Sequence, residues 1–327
     1  MSTEASAPAS RIVVVGSLNA DLTIYCDRLP LPGETLHGHG FAVNPGGKSA
    51  NQAVAASKLG GRVSLVGAIG DDPNGTMLLD STAHAGVDVS RVRRAADAAT
   101  GVAIISVDAA GENSIIISAG ANGTLAPADV DAAVDLFDDA AVACLCLEVG
   151  LDTVMAAAQA ARNAGATVLL NLSPYAEVPQ ALVRLSDVLL VNAHEASLFL
   201  GKEAIPGTDF DAAEWEPLRK QFADRGLQRV LVTLGAHGSV VLDSNAAGAQ
   251  PITFIAPTKV AAVDTTGAGD AFTGAVAVRL AAGESLAEAA AFASVAAALA
   301  TTKKGTQAAY PDAAEVRLVR SSHARRS

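Results

Sequence analysis

Short apolar runs alternate with helical stretches along most of this chain, and that rhythm restricts the fold more than any other feature. The apolar runs are Arg11–Val15, Val63–Val66, Val142–Leu147, Thr167–Leu170, Val188–Val191 and Arg229–Val232. Helical patterns lie between them at Ser49–Leu59, Thr76–Ala85, Thr153–Asn163 and Asp211–Asp224, and two more, Ala271–Ala282 and Ser285–Thr301, close the chain. Strand–helix alternation of this kind predicts an α/β fold with a mainly parallel sheet. Two segments in the first half break the rhythm. Leu22–Val43 and Thr100–Ser118 carry alternating β-branched and turn residues with no helix between them, which predicts antiparallel hairpins. They are read as a small inserted β-sheet, a lid over the main sheet at about residues 20–45 and 99–120. The alternative is an extension of the main sheet at its edge.

The 327 residues suffice for one large or two smaller domains with a substantial core. Half are hydrophobic, but much of that is alanine, and no apolar run approaches the ~18–20 residues of a bilayer span. The formal net charge of −11 argues against a general binder of nucleic acids or anionic membranes, though not against a nucleotide ligand. Three cysteines, Cys26, Cys144 and Cys146, without metal-ligand spacing, suit a reducing cytoplasm. Residues 1–10 are small and polar, lack the marks of a secretory signal and read as a disordered lead-in.

In open α/β sheets ligands bind beyond the carboxyl ends of the strands. Here five apolar runs end in polar groups: Gly16-Ser-Leu-Asn19-Ala-Asp21, Glu148, Asn171, Asn192 and Thr233-Leu-Gly235. One such residue is usually a cap or a turn, but five on one edge predict a cleft. The segment Val263–Phe272 adds a glycine-rich turn running straight into a helix. Gly267, Ala268 and Gly269 leave the first-turn amides accessible, and those amides with the helix dipole favour an anion, most often phosphate. Asp270 then stands where an acceptor for a hydroxyl proton is needed, a pairing that suits phosphoryl transfer to an alcohol. The competing reading is a tight turn with Asp270 as N-cap. Asn192 and Glu195 lie three apart at a helix start, where Glu195 either holds Mg²⁺, directly or through water, or caps its own helix. Gly46-Gly47-Lys48 opens another helix and, with Asn51, Asn19 and Asp21, offers donors and acceptors for a polyol. Dinucleotide and P-loop grammar are both missing: no G-x-G-x-x-G follows a strand here, and Ala42 stands where a Walker A motif needs its first glycine.

These segments together resemble the ribokinase branch of the phosphofructokinase-B family of carbohydrate kinases. The resemblance runs through Gly16–Asp21, Pro32–Thr35, Gly46–Ala56, Ala119–Asn122, Asn192-x-x-Glu195, Thr233–Gly235, Asp264–Asp270 and Lys304–Gln307, about Arg11 to Pro311. It implies one doubly wound domain over about residues 11–320 with a β lid, often paired with another subunit's lid in a homodimer. The implied activity is ATP-dependent phosphorylation of D-ribose at its 5-hydroxyl. Fructose, deoxyribose or adenosine are alternative acceptors, and a sugar-binding regulator without catalysis is a further alternative. Sugar contacts are implied for Asn19, Asp21, Gly46, Gly47, Lys48, Asn51 and Glu148, with Asp270 as base and Gly267, Ala268 and Gly269 as the anion hole. Asn192, Thr233, Gly235 and Gly238 are implied along ATP, Glu195 near Mg²⁺, and Asp264, Thr266, Ala300, Lys303, Gly305 and Ala309 around K⁺. Three departures stand out: Ser294 replaces a histidine near the adenine, Ala309 replaces a serine, and Asn171-Leu172-Ser173-Pro174 replaces Asn-Pro-Ala-Pro.

Overall fold

The computed structural model describes residues 10–207, 210–246 and 250–324, so the lead-in expected over residues 1–10 lies outside the described residues except for Ser10. Among them the first strands are β1 (Arg11–Val15), β2 (Asn19–Tyr25), β3 (Gly40–Gly46), β4 (Arg62–Gly70), β5 (Asp88–Ala95), β6 (Gly101–Val107) and β7 (Asn113–Ser118). They are followed by β8 (Ala140–Leu145), β9 (Thr167–Asn171), β10 (Val188–Asn192), β11 (Arg229–Thr233), β12 (Ser239–Asp243) and β13 (Ile252–Ile255). The main sheet has the order β13-β12-β11-β10-β9-β8-β1-β4-β5. Its strands are parallel from β11 to β5, and β12 and β13 add an antiparallel edge.

Side-chain alternation along the central strands builds two cores, one on each face of the sheet. Val13, Val15, Ala143, Leu145, Val168 and Leu170 point into one. Ile12, Val14, Val142, Cys144 and Leu169 point into the other. The helix Leu151–Asn163 covers the first face, and Lys48–Lys58, Ala268–Ala281 and Leu286–Ala300 cover the second. Burial on both faces explains why these strands read as continuous apolar runs.

The small sheet has the order β3-β2-β6-β7. Its antiparallel hairpins β2/β3 and β6/β7 are those expected, but they are joined by a parallel pairing of β2 with β6 that the hairpin reading did not contain. The parallel β1 and β5 point toward the same sheet edge, so the strands that continue from them run side by side in one direction. Three main-sheet strands also fall outside the expected set. β5 is a charged edge strand with half of its positions exposed, and β12 and β13 form a hairpin that interrupts the strand–helix rhythm.

Two helices carry the residues that matter most below, and their spacing is set at Gly274. A Cβ there would lie 2.6 Å from Gln52 O and 2.9 Å from both Ala55 Cβ and Ala56 N, so Ala268–Ala281 packs almost backbone to backbone on Lys48–Lys58. Gly274→Ala gains up to about 1 kcal/mol of helix propensity. Overpacking costs about 1–3 kcal/mol and dominates here, because two of the three obstructing atoms are backbone. Thermal unfolding of Gly274→Ala is therefore expected at a lower Tm than wild type.

Candidate active site

The five polar strand ends do converge. β11, β10, β9, β8 and β1 are consecutive neighbours, and their carboxyl ends open onto one cleft. A cavity of about 160 Å³ there is lined by Lys48, Asn171, Ser173, Leu190, Asn192, Glu195, Thr233, Gly267, Gly269 and Asp270. An adjoining cleft of about 520 Å³ extends past Asn192, Thr233, Leu234 and Gly235 to His194 and His237. Of the two departing residues Leu172 and Ser173, Ser173 lines the small cavity and Leu172 is buried in the core.

Asp270 lies in the first turn of Ala268–Ala281, whose N-cap is Gly267 in the left-handed region (φ 73°), with no side chain capping the helix. This overturns the reading of Asp270 as an N-cap: its carboxylate reaches the neighbouring helix instead. Asn51 Nδ2 donates to Oδ2 at 3.0 Å and Gln52 Nε2 to Oδ1 at 3.1 Å. Burial pushes the Asp270 carboxyl up, against the opposing pull of Lys48 and the two amides. Burial also works against the Lys48 ammonium, but Asp270, Glu148 and Glu195 outweigh it and hold the group above its ordinary value. Gly267 cannot take a side chain, since a Cβ would overlap Thr306 and lie 2.6 Å from Tyr310 Oη. The tight turn and the open amides thus have one cause.

The polyol-side residues gather around the small sheet's base. Asn19 and Asp21 lie on one face of β2, in register with Gly46 and Asn44 of β3. Asn122 Nδ2 donates to Asn19 Oδ1 at 2.8 Å and to Leu18 O at 3.0 Å, which fixes the Asn19 amide. A Cβ on Gly46 would overlap the Asp21 carboxylate, and one on Gly47 would lie 2.7 Å from Asn19 N. Glu148 accepts from Ser17 Oγ at 2.6 Å and Lys48 N at 2.9 Å. Burial, reinforced by the Glu148 and Asp270 carboxylates, pushes Asp21 up to about 7.

Glu195 does what the capping reading expected: its Oε2 accepts from Asn192 N while Asn192 Oδ1 accepts from Glu195 N, both at 2.8 Å. It also lines the small cavity, so capping leaves its carboxylate at the cleft. Asp264 accepts from Thr266 N and Gly305 N, both at 3.0 Å, and its own N–H donates to Thr301 O. Burial opposes ionisation of Asp264, but these N–H donors hold it below its ordinary value. The Lys303 ammonium is turned to Glu315 at 3.0 Å. Gly238 packs tightly against the Ile255 carbonyl, and Ser294 donates to Ala256 O at 3.3 Å; neither lines either cavity. Sequence reasoning missed Gln52 as an Asp270 donor, and Gln307, whose Nε2 donates to Asn51 Oδ1 at 3.0 Å. Each lies within a quoted segment, but which glutamine faces an acid depends on how two distant helices meet.

Comparison with known proteins places this geometry. The model of the pfkB family carbohydrate kinases matches residues 9–313. A ribokinase of Schizosaccharomyces pombe is 35% identical over 311 residues, 93% of this chain and 96% of that one. A deoxyribokinase of Salmonella typhimurium is 34% identical over 301 residues, covering 92% and 95% of the two chains. The structure of Arabidopsis thaliana ribokinase complexed with ribose and ATP superposes with a TM-score of 0.85 at 33% identity, covering 95% of this chain and 98% of that one.

The stacked carboxylates generate a prediction that needs no substrate. Asp21 in the folded protein retains its proton from the ordinary 3.8 up to about 7, whereas the unfolded chain releases it, so its contribution to stability declines as pH rises through that window. NMR titration of the side-chain carboxyl is expected to give a midpoint near 7. Glu148→Gln removes a like charge and is expected to lower that midpoint.

Proposed function

The chain belongs to the pfkB family of carbohydrate kinases, and we propose that within it the protein is a ribokinase that phosphorylates D-ribose at its 5-hydroxyl with ATP. The observation that carries this reading is a carboxylate buried at the open, glycine-capped turn of a helix, with a polyol-sized set of hydrogen-bonding groups beside it. Sugar hydroxyls are gripped by Asn19, Asp21, Lys48, Asn51 and Glu148, with Gly46 and Gly47 giving close access to the backbone. The nucleotide lies along Asn192, Thr233 and Gly235, through the larger cleft. Gly238 shapes this loop from behind, and Ser294 borders the adenine end.

In the reaction the 5-hydroxyl oxygen attacks the γ-phosphorus in line, the bond to the β–γ bridging oxygen breaks, and ADP leaves with its electron pair. Asp270 takes the hydroxyl proton. The amides at Gly267, Ala268 and Gly269 stabilise charge on the transferring phosphoryl group. Lys48 favours the ionised form of Asp270, against the burial that pushes the carboxyl up. Two cations would complete the site. Glu195 offers a carboxylate at the cavity for Mg²⁺, which neutralises phosphate charge when bound. Asp264, Thr266, Ala300, Lys303, Gly305 and Ala309 would hold K⁺, Asp264 through its carboxylate and the others mostly through backbone carbonyls, so that the substitution at Ala309 would leave the set intact.

The small sheet leaves Ile24, Phe41, Val43, Ile104 and Ile116 exposed on one face, opposite to that of Asn19 and Asp21. An apolar sheet face of this kind is suited to pairing with a second copy, and a homodimer through the lid follows. Three free cysteines suit a cytoplasmic setting. Among the described residues no helix is long and apolar enough to cross a membrane. The resemblance to a deoxyribokinase favours 2-deoxyribose as the second acceptor to test.

ADP release with MgATP and KCl across ribose, deoxyribose, fructose, adenosine and no acceptor decides the substrate: ribose is expected to give the highest kcat/KM, and a different winner overturns the acceptor. Asp270→Asn is expected to lower kcat by about 10²–10⁴ while ribose still binds, as read by calorimetry; near-normal turnover sinks the base assignment. Replacing K⁺ by choline is expected to lower kcat, and indifference to the exchange removes the cation from the proposal.

A further inference from the structure

Gln52 takes no part in the sugar or nucleotide contacts proposed above, yet it holds the catalytic carboxylate. Asp270 receives one amide donor on each oxygen, Gln52 Nε2 on Oδ1 and Asn51 Nδ2 on Oδ2. An amide has a donor end and an acceptor end of nearly equal reach, so it clamps an acid only if something fixes which end faces it. Cys144 on β8 does this for Gln52, its thiol donating to Oε1 at 3.2 Å. Burial pushes that thiol far above its ordinary value, so it keeps its proton and remains a donor. Gln307 does the same for Asn51. Gln52 is 1% exposed, so water does not compete for it, and Gly274 brings the two helices close enough for the contact.

We propose that Gln52, oriented by the Cys144 thiol, is a positioning residue for phosphoryl transfer, fixing one oxygen of Asp270 so that the carboxylate is aimed at the acceptor hydroxyl. This deepens the kinase reading and rests on it. The charged and titratable groups facing Asp270 come from every element around it. Lys48 favours its ionised form, Glu148 and Asp21 oppose it, and Cys144 and Tyr310 stand protonated beside it. Gln52 thus joins Lys48 and Asn51 in favouring the ionised form against burial. Because Gln52 acts through Asp270, its loss falls on kcat and on the pH profile.

Gln52→Leu keeps the bulk and removes both hydrogen bonds. The expected result is a fall in kcat of about 10–100-fold, with acceptor KM within about twofold. Losing a donor to the ionised form raises the pKa of the acid, so the acidic limb of kcat/KM moves up by about 1–2 pH units. Unchanged kcat, or a loss confined to KM with the limb unmoved, overturns the proposal. If Gln52→Leu fails to fold, the Cys144 pair decides. Cys144→Ala is expected to shift kcat and the limb in the same direction by less, and Cys144→Ser, which keeps a donor, to restore both; identical profiles for the two overturn the proposal. NMR titration of the Asp270 carboxyl without any acceptor separates this inference from the reading beneath it. An upward shift in Gln52→Leu with no turnover on any sugar rejects the kinase reading alone; an unmoved titration in an active enzyme rejects the role of Gln52.

Discussion

A carboxylate without full access to water needs compensation, and most of this site consists of the compensation for Asp270. Burial favours its neutral form, which could not take a proton from an alcohol. Lys48 supplies the opposing charge, and Asn51 and Gln52 supply a donor for each oxygen. These three come from one helix and the acid from another, so the site exists only while Lys48–Lys58 and Ala268–Ala281 stay in register. The alanine-rich faces of those helices and the glycine at 274 are packing features that set the surroundings of Asp270.

The same economy governs the carboxylates. Asp270, Glu148 and Glu195 draw on the Lys48 ammonium, whereas burial, reinforced by Glu148 and Asp270, gives Asp21 a raised affinity for its proton. Glu148 is better provided, with donors from Ser17 and the Lys48 backbone. A buried carboxylate with a raised affinity for its proton is matched to a ligand that brings hydroxyl donors. Glu195 shows that a capping role and a place at the cleft are compatible, because the cap uses one carboxylate oxygen.

Much of this was legible in the residues. The strand–helix rhythm, the two segments that break it, the polar groups after five strands and the glycine turn before Asp270 all depend on local pattern, and each reappears in the structure. β5 and β13 did not stand out, because edge strands lack the two-sided burial that makes central strands conspicuous; β12 is buried on both faces, but it follows β11 with no helix between them and so falls outside the strand–helix rhythm. The resemblance to a kinase family extended the reading to residues such as Gly238 and Ser294, whose places no local pattern signals.

What the sequence determined by itself was the class of fold, the edge of the sheet where chemistry gathers, and the pairing of an open helix turn with an acid, since all three follow from periodicity and from the conformational freedom of glycine. Tertiary structure alone decided that Asp270 turns away from its own helix to Asn51 and Gln52, that Cys144 and Gln307 orient those amides, and that β2 and β6 run parallel. Those facts join residues as many as 256 positions apart in the chain, and contacts at that separation are set by how layers pack rather than by any local sequence.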